Sequence, residues 1–217
     1  MINHEHKFIF IHVPRTSGSS IELQFGYNDL DPRRSAARGC KHAGNLHQKH
    51  WTLKQWKQHL DASTFEGYFK FTIVRNPWDR MISKYCAPGD FGPIGLLAGK
   101  SLKYFLNRYH HLSNLNNIGR CNRWLNWEHG ETLVDYFDPE QMDYVGRFET
   151  REESLDYISQ KINFPLDRNV QFRECQANIK RKNVGHHYTK YYDDETREIV
   201  ARRYAQDIEL FGYEFGK

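Results

Sequence analysis

Two stretches of this chain share one pattern, and together they restrict its fold more than anything else in it. "FIFIHVPRTSGSSIE", residues 8–22, and "YFKFTIVRNPWDRMISKY", residues 68–85, each begin as a near-continuous apolar run and end as the start of a helix. A run with no polar alternation is what a strand covered on both faces requires, and such strands belong to parallel sheets with helices packed on them. In the first stretch the strand, roughly residues 7–13, turns through small and hydroxylated residues around one arginine, Arg15, into a helix opening near Gly18 to Ser20. Backbone amides and hydroxyls gathered at a helix start make an anion cradle. In the second, Asn76 is a good helix cap and Pro77 suits the first helical position, which leaves Arg75 at the end of its strand.

The remaining elements follow from periodicity. Thr52-Leu-Lys-Gln55 reads as a capping box, with Leu53, Trp56 and Leu60 on one helical face. Trp78, Met81, Ile82 and Tyr85 form the inner face of the helix after Asn76. A helix is expected over residues 101–109, and Thr150-Arg-Glu-Glu153 reads as a second capping box ahead of Leu155, Ile158 and Ile162. Asp193 or Asp194 caps a final helix bearing Ile199, Arg203, Tyr204 and Ile208, and the aromatic tail "ELFGYEF" docks back on the domain. Residues 26–49 read as loop and 87–99 as a loop or lid, while 110–131 is rich in Asn, His and Trp and has no clean periodicity. The chain shows no internal repeat, so one domain over residues 1–217 is expected, of α/β class: a P-loop-like three-layer fold with a central parallel β-sheet flanked by helices.

Composition excludes several functions. With 31 Lys and Arg against 27 Asp and Glu, the net charge of +4 is too mild for a histone-like nucleic-acid binder and suits a small polyanionic ligand. No apolar run reaches the ~18 residues of a membrane span, and nothing near Met1 resembles a signal peptide. The four cysteines are far apart with no CxxC, so a reducing, cytoplasmic setting is expected.

A nucleoside-triphosphatase loop has the form GxxxxGK[ST], its lysine reaching the outer phosphates and its hydroxyl holding magnesium. With Gly18 as the second glycine, Ser19 falls where the lysine should be, Ser20 on the hydroxyl position and Val13 on the first glycine. A Rossmann GxGxxG is absent. The cradle therefore keeps its amides and lacks the triphosphate equipment. "KFIFIHVPRTSGSSIE" and "FKFTIVRNPWDRMISKY" together resemble the two donor-binding motifs of sulfotransferases that use 3'-phosphoadenosine 5'-phosphosulfate (PAPS). The family's first loop reads Pro-Lys-Thr-Ala-Gly-Thr-Ser and grips the 5'-phosphosulfate; its second motif, Arg-Asn-Pro-Trp-Asp-Arg with a serine eight residues after the first arginine, grips the 3'-phosphate. The resemblance continues through "KHWTL", "DYVGRFE" and "YYDDETREIVARRYAQDIELFGYEF", and is greatest to the carbohydrate-type branch with its short bacterial members.

The resemblance implies sulfuryl transfer to a hydroxyl or amine of an acceptor, a carbohydrate, with no metal required. It implies donor contacts from Arg15, Thr16, Ser17, Gly18, Ser19, Ser20, Arg75 and Ser83, and from Arg181 and Lys182 in a late basic loop that begins at Lys180. Arg15 stands where the family has lysine; it keeps the charge and offers a fork to phosphate and sulfate oxygens but cannot give up a proton. "KHWTL" matches the stretch where this branch places a histidine base, which makes His50 the expected base, with His47 and Glu22 as alternatives. The cluster His42, His47 and His50 lacks cysteine or acidic partners at zinc spacing. Trp124, Trp127, Arg120 and Arg123 lie where an acceptor would be read. Two other readings stay open: a P-loop small-molecule kinase, disfavoured by the absent GK[ST], and a non-catalytic nucleotide-binding module, motivated by Arg15.

Overall fold

The computed structural model describes residues 1–26, 40–41, 49–86, 99–114, 132–166 and 187–217. The chain divides into two compact units, Met1–Arg75 with Leu133–Arg173, and Asn76–Thr132 with Glu174–Lys217.

The first unit holds the sheet. Strands β1 (Ile2–Asn3), β2 (Phe8–Ile11), β3 (Cys40–Lys41), β4 (Phe69–Val74) and β5 (Tyr144–Arg147) lie in the order β3-β1-β2-β4-β5. β2, β4 and β5 are parallel, in register Ile11↔Thr72 and Val74↔Arg147. The expected parallel sheet is therefore its centre, extended on one side by β1 and β3, which pair antiparallel.

Strand alternation sends Phe8, Phe10, Phe71 and Ile73 to one face. There they meet Ile21 of α1 (Gly18–Gln24), Phe25, and Leu155, Ile158 and Ile162 of α6 (Arg151–Ile162), all buried in one cluster. Each such side chain contributes about 1.5–3 kcal/mol on burial. On the other face Ile9, Ile11, Thr72 and Val74 are also buried, as the unbroken apolar runs require. α6 packs close on β5 at Gly146, where a Cβ would sit 2.5 Å from Ile73 Cδ1 and 2.8 Å from Ser154.

The parallel β2–β4 pair needs a crossover, which carries α1, α2 (Leu53–His59) and α3 (Ala62–Gly67). Thr52 caps α2 through the expected box: its hydroxyl accepts from Gln55 N at 3.2 Å, and Gln55 Oε1 accepts from Thr52 N at 2.8 Å. Leu60 does not continue that face; it is the extended C-cap, and Asp61 then caps α3. The Thr150 box does not form. Thr150 begins α6 at φ −116°, ψ 42°, outside the extended backbone that aims a cap hydroxyl at the helix, and its side chain makes no capping bond.

The second unit is helical in its described residues. α4 (Pro77–Tyr85) is capped by Asn76, whose Oδ1 accepts from Trp78 N at 3.1 Å. α5 (Leu102–Asn114) outruns the helix expected over 101–109. Asp193 rather than Asp194 caps the last helical stretch, which breaks at Tyr204 into α7 (Asp194–Arg203) and α8 (Ala205–Phe211) instead of running on as one helix. The tail docks as expected: Asn76 Nδ2 donates to Glu214 O at 2.9 Å, and Phe215 packs edge-on against Trp78, Tyr188 and Tyr192.

Candidate donor-binding and catalytic site

Because β2 and β4 are parallel neighbours, the chain leaves their carboxyl ends side by side, the position where open α/β sheets bind ligands. From β2 emerge His12, Val13, Pro14, Arg15, Thr16 and Ser17; from β4 emerges Arg75. The two exits touch. Arg75 Nη1 donates to the Arg15 carbonyl at 3.0 Å, and its guanidinium lies 4.0 Å over the Phe148 ring. Arg75 is almost wholly buried, whereas Arg15 is half-buried.

The loop between β2 and α1 is bent hard. Arg15 and Ser17 both adopt left-handed backbone, at φ 69° and 70°, a conformation that costs non-glycine residues of order 1–3 kcal/mol each. Thr16 is buried, and its hydroxyl donates to Val13 O at 2.8 Å, so it braces the loop from within. Ser17 and Ser19 keep part of their surface, while Gly18 and Ser20 are buried at the start of α1. By helix geometry the first amides of α1 have no carbonyl partner within the helix.

Beneath the loop lies a cluster that the motifs did not reveal. His12 Nδ1 is 2.9 Å from Glu22 Oε1, and Lys49 Nζ is 3.4 Å from Glu22 Oε2. Glu22 and His12 are nearly inaccessible. The His50 ring stands edge-on to that of His12 at 4.4 Å between centroids, and His50 Nδ1 lies 2.9 Å from the His12 carbonyl. A carbonyl can only accept, so Nδ1 carries the proton and the neutral ring presents Nε2 as its basic nitrogen. His50 retains some surface, yet the atoms crowded around it desolvate the ring. That desolvation, followed by His12 and the Lys49 charge, holds the imidazole well below its ordinary 6.5, against the opposing His12 hydrogen bond and Glu22 charge.

The structure thus brings Arg15, Thr16, Ser17, Gly18, Ser19, Ser20, Arg75 and His50 together within the first unit. Glu22 lies there too, one oxygen beside His12 and the other in ion-pair range of Lys49. Ser83 is buried on α4 of the second unit. Arg181, Lys182, His47, His42, Lys180, Arg120, Arg123, Trp124 and Trp127 lie outside the described residues. His12, Lys49 and Phe148 are the site residues that sequence reasoning missed. Among the described residues no three His, Cys, Asp or Glu side chains form a group able to hold a metal ion.

An arginine-bearing turn and a second arginine thus stand at the carboxyl ends of adjacent parallel strands of an α/β protein. The family is also determined: a model described as "Sulfotransferase family" matches residues 1–214, and the chain belongs to that family. It is 24% identical over 238 residues to carbohydrate sulfotransferase 14 of Danio rerio, covering 98% of this chain and 61% of that protein. It is 29% identical over 171 residues to carbohydrate sulfotransferase 10 of Homo sapiens, covering 68% of this chain and 47% of that one. The chain therefore spans between about half and three-fifths of the length of these curated relatives. No solved structure matches it at a significant level.

Proposed function

We propose that this chain is a sulfotransferase that moves the sulfuryl group of PAPS to a hydroxyl of a carbohydrate acceptor. The observation that carries the reading is the Arg75–Arg15 contact, which joins two sequence motifs of the family at the carboxyl ends of neighbouring strands. The residues present fit the donor. A turn of serines and glycine lets an anion approach the backbone closely, Arg15 supplies a fork for phosphate or sulfate oxygens, and Arg75 supplies a second cation. When bound, the donor supplies an activated sulfuryl group with a phosphate leaving group.

In this reading Arg15 and the amides after it stabilise charge developing on the leaving phosphate, by the electrostatic logic of phosphoryl transfer. Arg75 holds the 3'-phosphate. Ser83, Arg181 and Lys182 join it on sequence position alone. His50 takes the proton of the acceptor hydroxyl at Nε2; a ring held neutral by its surroundings is ready for that task near neutral pH. Arg15 serves as a charge stabiliser and not as a proton donor. The whole chain acts as a single sulfotransferase domain. The names of the two relatives support a carbohydrate acceptor.

Adenosine 3',5'-bisphosphate at ~100 times its dissociation constant is expected to add about 2.7 kcal/mol of stability, and ATP with magnesium much less. Labelled donor offered with a panel of glycans, phenols and amines is expected to label a glycan. A melting temperature raised by ATP and unmoved by the bisphosphate would return the kinase reading. Donor binding without transfer to any acceptor would return the non-catalytic one.

A further inference from the structure

We infer that Glu22, acting through His12 and Lys49, is a positioning residue for His50, fixing which nitrogen of that ring is basic and where it stands. The inference rests on the proposed role of His50 as base.

The geometry is a clamp with two arms. One oxygen of the buried Glu22 carboxylate meets His12 Nδ1 at 2.9 Å; the other meets Lys49 Nζ at 3.4 Å. His12 in turn gives His50 both its wall, the edge-on ring at 4.4 Å, and its acceptor, the carbonyl 2.9 Å from Nδ1. Lys49 precedes His50 in the chain, so holding Lys49 holds the backbone that presents the ring. A single carboxylate therefore grips the residue on which His50 leans and the residue from which it hangs. Two strong acceptors on one side chain can do this; a serine or an amide in its place could not grip both arms equally.

Gly18 is the other half of the device. A Cβ there would lie 2.1 Å from His12 Cδ2 and Nε2. The imidazole occupies the space that any side chain at position 18 would fill, packed beneath the start of α1. The glycine that opens the anion turn is thus also what lets His12 reach Glu22.

Among the described residues, the charged and titratable groups facing His50 are His12 after β2, Glu22 on α1 and Lys49 in the turn before α2. Coulomb's law gives the two arms opposite signs on the His50 proton affinity. Removing the Glu22 charge lowers it; removing the Lys49 charge raises it. These shifts report the two charges beside the ring; the tautomer and the coupling of the kcat losses report the clamp itself.

The test is nitrogen-15 NMR of the full chain labelled at histidine, with the His50 ring assigned by its loss in His50→Gln. In the unsubstituted protein the ring is expected as the Nδ1–H tautomer, titrating below 6.5. Glu22→Gln is expected to shift that titration to lower pH and Lys49→Gln to higher pH, each while the affinity for adenosine 3',5'-bisphosphate changes less than threefold. Glu22→Ala is expected to mix the tautomers. In transfer to the best acceptor of the panel, Glu22→Gln is expected to lower kcat about tenfold, and to add nothing in a His50→Gln background. If Glu22→Gln does not fold, Lys49→Gln, whose partner stays buried, carries the test alone. An unmoved titration and an unchanged tautomer in the variants that fold would overturn the inference, as would additive losses of kcat. Full transfer by His50→Gln would instead overturn the base assignment, and the positioning role with it, while bisphosphate binding left the donor reading standing.

Discussion

Arg75 should fail in two ways when it is removed, and a pair of nucleotides separates them. Its guanidinium is almost wholly buried, stacked 4.0 Å from Phe148 and donating to the Arg15 carbonyl at 3.0 Å. A hydrogen bond from a charged group contributes roughly 1.5–3 kcal/mol. The left-handed backbone of Arg15 costs about 1–3 kcal/mol. The two are of one size, so the bond can offset the cost of that backbone, beside the Thr16 brace. In Arg75→Ala, adenosine 3',5'-bisphosphate loses a charged partner for its 3'-phosphate, and its Kd should rise by about 10- to 150-fold from that loss alone, multiplied by any loss of the competent turn. Adenosine 5'-monophosphate has no 3'-phosphate to lose. If the turn is competent in only a tenth of the molecules, its apparent Kd should still rise about tenfold, because affinity scales with the competent fraction.

Calorimetric titration of both nucleotides measures the two losses directly. Arg75→Lys refines the comparison: it restores a cation without the planar fork, so the bisphosphate should recover part of its affinity while the monophosphate stays weakened. An Arg75→Ala protein that binds the monophosphate normally would show that the turn holds its shape unaided. One that binds the bisphosphate normally would remove Arg75 from the donor site altogether.

Other outcomes follow from single contacts. The proton affinity of His50 is depressed in the folded protein, so the unfolded chain binds more protons. Its contribution to stability is intact above 6.5 and falls as the pH drops from there toward the folded value; melting curves from pH 8 to 5 should lose that acid-side fall in His50→Gln. Gly146→Ala forces a methyl against Ile73 and Ser154, which should cost about 1–3 kcal/mol by overpacking, read as a lower denaturant midpoint with bisphosphate affinity of the folded protein unchanged. Thr52→Ala removes one bond of a formed capping box and should cost about 1 kcal/mol, or about 2–4 °C in Tm. Thr150→Ala, at a box that does not form, should cost distinctly less.

What the sequence made legible depended on whether a residue's reason is local. β2 and β4 were legible because burial on both faces demands unbroken apolar runs, and α4 because Asn76-Pro77 carries its own start signal. β5 was not: it ends the sheet of the described residues, partly exposed, and Tyr-Val-Gly-Arg has no pattern to betray it. β1 and β3 are two residues each and exist only as partners of other strands. The two capping boxes make the same point, since Thr52 and Thr150 share a motif but only Thr52 has extended backbone. The site divides in the same way. Arg15, Gly18 and Arg75 sit in contiguous motifs whose chemistry is readable in order. His12 and Glu22 are ten residues apart with a reversal of direction between them, and no periodicity joins a strand exit to the middle of a helix. Their one trace in the sequence is Gly18, and it was legible for a different reason, the approach of an anion to the backbone. The contact distances add the second reason: an alanine there would have to displace the His12 ring. Gly18→Ala should therefore disturb donor binding and His50 together, although it touches His50 only through His12.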